Sequence, residues 1–369
     1  MHIPWCVRKC PYCDFNSHAA PDALNEPAYV DALLSDLAVE RRLTGQRSLH
    51  SIFIGGGTPS LFSAHSIGAL LNGIQRHYDF ANEIEITLEA NPGTFEQEKF
   101  NGFRSAGINR LSIGIQSFND AALQRLGRIH SAGEALNAIN TARRAGFENL
   151  NLDLMFALPE QTLAEALHDV NTACALDVQH ISHYQLTLEP NTLFYSQPPP
   201  LPDSELMWDM QEACQQVLTD AGFSQYEVSA WSRQRPSAHN LNYWQFGDYL
   251  GIGAGAHGKL GEPAQARIQR RWKRRQPQDY IAHAASGDAL SGESVISDEQ
   301  LVFEFMMNAL RLPEGVDTAL FEQRTGLTLA QLEAACAAID RELLTIDDQR
   351  IRTTALGFRF LNDVLGKLL

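Results

Sequence analysis

In the first half of the chain, short apolar runs alternate with stretches whose apolar residues recur every three or four positions. The short runs predict β-strands at residues 51–54, 84–89, 110–115, 150–155 and 180–186. The longer stretches predict amphipathic helices at residues 26–41, 65–77, 95–106, 132–145 and 162–175. Strands that alternate with helices are typical of a parallel α/β sheet, either closed as a barrel or doubly wound.

The second half of the chain has a different pattern. Five prolines between residues 190 and 202 indicate a link, and residues 206–221 predict a helix. Glycine, aromatic residues and strand-like runs dominate residues 225–273. Residues 297–369 are mainly helical, with a turn-like Asp347-Asp348-Gln349 between two short apolar runs, and resemble a winged-helix module. We therefore divide the chain into residues 1–190, 191–296 and 297–369.

Composition narrows the function classes. The chain carries 29 basic and 44 acidic side chains, a formal net charge of −15, which argues against a broad nucleic-acid surface. No apolar run approaches the ~18–20 residues of a membrane span, and His2 and Pro4 interrupt any signal-like N-terminal segment. Six cysteines in 369 residues do not indicate a disulfide framework. These features predict a cytoplasmic protein without stable membrane insertion.

Three of the cysteines stand close together, as Cys6, Cys10 and Cys13 in a C-x3-C-x2-C spacing. A [4Fe–4S] cluster is usually held by four thiolates, so three ligands leave one iron open to a small molecule. A zinc loop completed by His2 or His18, or a disulfide pair, is the alternative interpretation. The other cysteines, at positions 174, 214 and 336, lie singly in helical segments and are typical of buried apolar residues.

A second group of candidate residues follows the predicted strands. Gly55-Gly56-Gly57-Thr58-Pro59 comes directly after a strand, and glycines allow a ligand to approach the backbone closely. Carboxylates accept hydrogen bonds from a diol, and arginine suits a carboxylate. An ordinary βα turn and structural polar groups remain the alternatives. The polar candidates at or near strand ends, or in the loops beyond, are Glu89, Gln116, Arg128 and Asp153.

The cysteine spacing, followed two residues later by the aromatic Phe15, resembles the cluster loop of the radical S-adenosylmethionine (SAM) superfamily. The resemblance implies an open (β/α)6 barrel, a [4Fe–4S] cluster on Cys6, Cys10 and Cys13, and SAM on the open iron. It further implies that Gly56, Gly57 and Thr58 contact the methionine part of SAM. As a set, Glu89, Gln116, Arg128 and Asp153 match the branch typified by oxygen-independent coproporphyrinogen III oxidase. This family begins with a full strand before the cluster loop, and most of that strand is missing here.

Two branches of the family share this architecture: the oxidases, and the HemW-type heme chaperones, which pass heme to acceptor proteins. The oxidases have a fourth cysteine where this chain has Phe15. The H-N-x-x-Y-W signature of the chaperone branch matches residues 239–244, which makes His239 the predicted heme ligand and His257 the second choice. The resemblance therefore implies heme, a heme-acceptor protein and an electron donor for the cluster as partners. Two alternative interpretations of the function are an oxidase of this family and a non-catalytic cluster-binding scaffold.

Two further motifs have simpler explanations. Residues 253–258 fit G-x-G-x-x-G, but the following residues do not open a helix, so a dinucleotide site is not predicted. A basic run lies at Arg267, Arg270, Arg271, Lys273, Arg274 and Arg275. It suits heme propionates or an acidic partner, although such a run is more often a solvated strand edge.

Overall fold

The structure is a computed structural model, and it describes residues 1–93, 97–262 and 267–369. Its centre is an eight-stranded sheet, in which six strands run parallel and form the predicted open barrel. In spatial order these six are β1 (His2–Ile3), β4 (Ser48–Gly56), β5 (Asp79–Ala90), β6 (Arg110–Gln116), β7 (Asn149–Phe156) and β8 (His180–Gln185). The predicted α/β barrel is thus confirmed, and its first strand is two residues long.

Helices cover the outside of the barrel. They are α1 (Glu26–Thr44), α2 (Ala64–Gln75), α3 (Gln97–Ala106), α4 (Asp120–Arg125), α5 (Ala132–Arg144) and α6 (Leu163–Ala175). Capping boxes begin two of them, at Ser131 and Thr162, where a glutamate three residues later returns the hydrogen bond. The five predicted helices lie within three residues of these bounds, and residues 95 and 96 of the predicted third helix lie outside the described residues.

The cluster loop follows β1 directly and lies against the glycine turn that follows β4. Two short parallel strands, β2 (Trp5–Cys6) and β3 (His18–Ala19), frame it. The backbone of the loop pairs with the glycine turn after β4, since Gly57 N donates to Ile3 O at 2.8 Å and Thr58 N donates to Trp5 O at 2.7 Å. This pairing fixes the cysteine loop beside the carboxyl ends of the strands.

Residues 191–296 pack onto the barrel from several sides. They contain α7 (Leu193–Ser196), α8 (Ser204–Asp220), α9 (Ala238–Trp244), α10 (Pro277–Ala284), and the strands β9 (Ser224–Glu227), β10 (Ala230–Ser232), β11 (His257–Glu262), β12 (Arg267–Lys273) and β13 (Leu290–Val295). Strands β10 and β9 continue the barrel sheet in antiparallel order, whereas β11, β12 and β13 form their own sheet. Met210, Phe223, Trp231 and Tyr280 belong to the same apolar core as the barrel.

A separate apolar core lies in the C-terminal module. Its elements are α11 (Asp298–Ala309), β14 (Val316–Asp317), α12 (Thr318–Thr325), α13 (Leu329–Ala335), β15 (Leu344–Ile346), β16 (Arg350–Thr353), α14 (Ala355–Arg359) and α15 (Leu361–Gly366). The order helix, strand, two helices and hairpin has the winged-helix arrangement that the sequence predicts. Among the helices of the described ranges, none is long and apolar enough to cross a membrane.

Candidate cofactor-binding site

A cavity of about 460 Å³ opens at the carboxyl ends of the barrel strands. Its volume lies in the range of small-molecule sites. Ten of the eleven residues predicted as a site line it together: Cys6, Cys10, Cys13, Gly56, Gly57, Thr58, Glu89, Gln116, Arg128 and Asp153. The structure thus brings one loop and the ends of several strands to a single place, as expected for a barrel of this kind.

The three cysteines of the loop have free, partly buried thiols. Arg128 Nη1 lies 3.6 Å from Cys10 Sγ, which places a permanent cation beside a sulfur. Burial raises the pKa of the Cys6 and Cys13 thiols. Three unpaired thiols on one loop beside a cavity suit a [4Fe–4S] cluster, in which each thiolate binds a different iron. The donor set therefore fits the cluster.

Arg128 is held by a chain of hydrogen bonds. Its Nη2 donates to Gly114 O at 2.7 Å and to Asn91 Oδ1 at 2.6 Å. Asn91 in turn donates from Nδ2 to Thr58 Oγ1 at 2.8 Å, so the guanidinium is connected to the glycine turn. Asn91 was not among the residues predicted as a site. Its place directly after the end of β5 was the available signal.

Two carboxylates face each other inside the barrel. Burial, assisted by the nearby Asp153 carboxylate, raises the pKa of Glu89 to about 7. Glu89 Oε2 accepts a hydrogen bond from Gly56 N at 3.0 Å. Asp153 accepts from Asn151 Nδ2 at 2.8 Å and from Ser112 Oγ at 3.0 Å, and burial raises its pKa as well. Carboxylates in this setting can accept hydrogen bonds from the hydroxyl or ammonium groups of a ligand.

Gln116 lines the cavity at the end of β6. Its backbone has φ +68°, a left-handed conformation that is uncommon for a residue other than glycine and is often found at functional sites. The Tyr184 hydroxyl donates to Gln116 Oε1 at 2.9 Å and holds the amide in place. Ser112, Ser182 and Tyr184 also line the cavity, although they were not predicted as site residues. Their spacing of two residues along β6 and β8 could have identified them.

The remaining predicted residue, His239, lies elsewhere, at the floor of the barrel. Its ring stacks on Phe53 with 4.4 Å between ring centroids, and Tyr243 meets it edge-on at 4.8 Å. The first turn of α9 is fixed to the barrel because the Glu85 carboxylate accepts from Ser237 Oγ, Ala238 N and His239 N at 2.9 to 3.0 Å. Burial lowers the pKa of His239 to about 3, so the ring is neutral. The structure does not bring His239 to the cavity of the cysteines.

Residues next to His239 make further polar contacts at the floor of the barrel. Asn240 Nδ2 donates to the Tyr226 hydroxyl at 2.9 Å, and His180 Nε2 contacts the same hydroxyl at 2.8 Å. The other ring nitrogen of His180 lies 2.6 Å from Asn151 Oδ1. The histidine and asparagine of the H-N-x-x-Y-W motif are therefore part of the barrel floor.

Comparisons with known proteins agree with this architecture. The family model of the radical SAM superfamily matches residues 1–173, and that of the HemN C-terminal domain matches residues 296–360. The chain is 50% identical over 371 residues to the heme chaperone HemW of Haemophilus influenzae, and 46% identical over 370 residues to that of Escherichia coli. Each comparison covers 99% of this chain and 96% of the relative.

A solved structure has a similar fold. It is the coproporphyrinogen III oxidase HemN of Escherichia coli, described as a radical SAM enzyme, with a TM-score of 0.84 and 21% sequence identity. The match covers 100% of this chain and 88% of the oxidase. At this identity the similarity supports the fold and does not transfer the activity.

Proposed function

Since this chain belongs to the HemW family of the radical SAM superfamily, we propose that it is a heme chaperone, which binds heme and passes it to an acceptor protein. The observation that carries the proposal is the similarity to heme chaperones over nearly the whole chain, 99% of it at 50% identity. Phe15 supports the same assignment, since the oxidase branch resembled by the sequence has a cysteine at that position.

The cavity at the barrel mouth is the proposed cofactor site. Cys6, Cys10 and Cys13 would hold the [4Fe–4S] cluster, and its open iron would bind SAM and supply one-electron chemistry from an external donor. Arg128 offers paired donors to a carboxylate, and its bonds to Asn91 and Gly114 keep it oriented before the ligand arrives. Glu89 and Asp153, which line the same cavity, offer acceptors. The strand ends thus orient a zwitterionic ligand and shield it from water.

The axial ligand of the heme remains a prediction. His239, the choice from the motif, has a neutral ring, as ligation of iron requires. However, the ring is packed between Phe53 and Tyr243, and the backbone of α9 is bonded to Glu85. Ligation by His239 therefore requires α9 to move away from the barrel floor.

One experiment tests the proposed function. Protein reconstituted anaerobically with iron and sulfide is titrated with heme, and the same sample is then reduced and supplied with SAM and coproporphyrinogen for product analysis. We expect stoichiometric heme binding without decarboxylated product. Turnover of coproporphyrinogen would instead identify an oxidase. If the protein neither binds heme nor turns over coproporphyrinogen, the interpretation as a cluster-binding scaffold remains.

The cluster ligands are tested in the same preparation. We expect serine variants of Cys6, Cys10 and Cys13 to lose the cluster absorbance and most of the bound iron, because a serine hydroxyl is a poor ligand for this cluster. Cys174→Ser is the matched control, since Cys174 lies on α6 outside the cavity. Retention of iron after all three changes would contradict the assignment.

A further inference from the structure

A second cavity lies beside the cluster loop, between this loop and the residues around β11 and β12. We call it the His257 crevice. It has a volume of about 630 Å³ and is lined by His2, Asp14, Phe15, Asn16, Gly255, His257, Trp272, Lys273 and Arg275. Asp14 and Phe15 line the cofactor cavity as well, so a single stretch of the cluster loop separates the two spaces. A ligand in the crevice would therefore be a close neighbour of the cluster.

The walls of the crevice are fixed by hydrogen bonds. Asn16 Nδ2 donates to Ala254 O and to Arg275 O, both at 2.9 Å, and Asn16 O lies 2.9 Å from His2 Nε2. Gly255 has φ +77° and packs so closely on Asn16 that a Cβ atom would come within 2.4 Å of Asn16 Nδ2. The cluster loop and the β11–β12 sheet are thus joined in one arrangement before any ligand binds.

His257 presents an available imidazole to the crevice. It is the first residue of β11, its side chain is exposed, and it pairs across the sheet with Trp272 on β12. Within the described residues its ring nitrogens have no hydrogen-bond partner. Partial burial, together with Arg270 and Arg275, lowers its pKa, which keeps the ring neutral at physiological pH. A neutral imidazole with both nitrogens free is suited to bind iron.

The other side chains of the crevice suit a flat, anionic ligand. Phe15 is 57% exposed, and Trp272 adds a second aromatic ring. The Arg275 guanidinium forms no ion pair within the described residues, whereas the Lys273 ammonium is bound to Asp36 and Glu40. Asp14 brings one carboxylate to the same wall. Arg275 is therefore the cation available to a carboxylate of the ligand.

We propose that the His257 crevice binds iron protoporphyrin, with His257 as axial ligand, Phe15 and Trp272 against the macrocycle, and Arg275 at a propionate. This proposal rests on the proposed function, because it names the place where the chaperone holds its heme. The crevice is open to solvent without any rearrangement, in contrast to the floor of the barrel where His239 lies. Its position beside the cluster loop also makes heme binding sensitive to the conformation of that loop.

The test is a titration of the cluster-reconstituted protein with ferric protoporphyrin IX, followed by the Soret band and by EPR of the heme. We expect His257→Ala to lose the spectrum of imidazole ligation and to bind about tenfold more weakly. Arg275→Ala is expected to bind a few-fold more weakly with an unchanged ligation spectrum. His65→Ala and Arg104→Ala, on the exposed faces of α2 and α3, are the matched controls and should behave as wild type.

Two measurements separate a ligand role from a structural one. Free imidazole should restore the ligation spectrum of His257→Ala, which a distorted crevice would not allow. Metal-free protoporphyrin IX, which needs no axial ligand, should bind His257→Ala almost as well as wild type but Arg275→Ala more weakly. His239→Ala should retain the ligation spectrum.

The outcomes distinguish the two proposals. If wild type binds heme and His257→Ala binds it with the same affinity and spectrum, the crevice proposal is wrong and the heme chaperone function stands. If wild type binds no heme at all, the proposed function is wrong, and the crevice proposal is wrong with it. Loss of ligation in His239→Ala alone would place the heme at α9 instead of at the crevice.

Discussion

At the scale of single residues, the site was largely predictable where chemistry and spacing act locally. The three cysteines lie within eight residues of sequence, and the glycine turn follows its strand directly. The partners that orient these groups were not predictable in the same way. Asn91 and Arg128 bond across 37 residues, and Tyr184 reaches Gln116 across 68. Such pairs depend on the folded sheet, which no local pattern encodes.

Arg128→Lys tests whether orientation of the guanidinium matters. Lysine keeps the charge but cannot bond Asn91, Gly114 and a ligand carboxylate together, because it lacks the planar fork. We expect SAM to bind the reconstituted variant roughly tenfold more weakly, as measured by calorimetry. Arg125→Lys, at the end of α4 and outside the cavity, is the control and should leave the affinity unchanged. Equal affinity of Arg128→Lys and wild type would contradict the assigned role.

Gly57→Ala tests the close contact between the glycine turn and the cluster loop. A Cβ atom at this position would lie 2.5 Å from Trp5 O, and the backbone on both sides must then shift. We expect the free energy of unfolding to fall by about 1–3 kcal/mol, together with a lower cluster content. Gly133→Ala in α5 has no such contact and should be neutral or stabilising by about 0.5–1 kcal/mol. Chemical denaturation of both variants provides the measurement.

At the scale of elements, the barrel segments were predictable to within a few residues because the helices bury one face each, whereas the central strands, such as β6, are buried on both faces and form short continuous apolar runs. The H-N-x-x-Y-W motif was not predicted as a helix, although Ala238–Trp244 forms α9. This helix is only seven residues long and contains no fully buried residue, so it has no apolar periodicity to detect. Tertiary contacts stabilise it instead, because the Glu85 carboxylate accepts hydrogen bonds from the first turn of the helix.

Lys273→Met tests the buried ion pairs that join β12 to α1. The Lys273 ammonium contacts Asp36 Oδ1 at 2.6 Å, and the two side chains are 3% and 1% exposed. Removal of the ammonium leaves the carboxylates of Asp36 and Glu40 buried without it, which should cost about 3–5 kcal/mol of unfolding free energy. Glu83→Gln is the control. It breaks an ion pair with Arg235 in which both side chains are more than 80% exposed, and it should change the free energy of unfolding by less than about 0.5 kcal/mol.

Lys259 of β11 gives a pH-dependent prediction. Its ammonium is buried against Phe246, and this burial lowers the pKa to about 8 from an ordinary value of 10.5. Between these values the unfolded chain binds more protons than the folded chain, so stability rises with pH. Relative to Lys259→Met, wild type should gain up to about 3 kcal/mol of unfolding free energy from pH 8 to 10.5. Parallel pH profiles of the two proteins would contradict the prediction.

At the scale of the whole molecule, segments that differ in composition along the sequence are not all separate units in the structure. The middle segment, residues 191–296, was predicted as a separate region from its composition. In the structure it shares the core of the barrel, and Lys273 bonds to Asp36 across 237 residues of sequence. Contacts of this range depend on how β12 docks against α1, and the residue pattern of each element alone does not determine that docking.

Arg311→Ala tests how the C-terminal module is attached. The guanidinium stacks over the Trp244 ring at 4.3 Å, and its Nη2 lies 2.9 Å from Glu227 Oε2, a carboxylate only 3% exposed. We expect faster hydrogen exchange in α11 and β16, because the module opens more often, while β6 and β7 stay protected. Arg359→Ala breaks an ion pair whose two partners are about half exposed, and it should leave the exchange unchanged.

The short helix α9 has a consequence for how the protein can respond to a partner. One end of it is bonded to Glu85 at the barrel floor, and Leu241 and Trp244 pack against the C-terminal core. The helix is about 10 Å long, too short and stiff to absorb a displacement internally. Any displacement of the C-terminal module would therefore pull on Glu85 and the barrel floor. The short helix thus connects the position of the C-terminal module mechanically to the inside of the barrel.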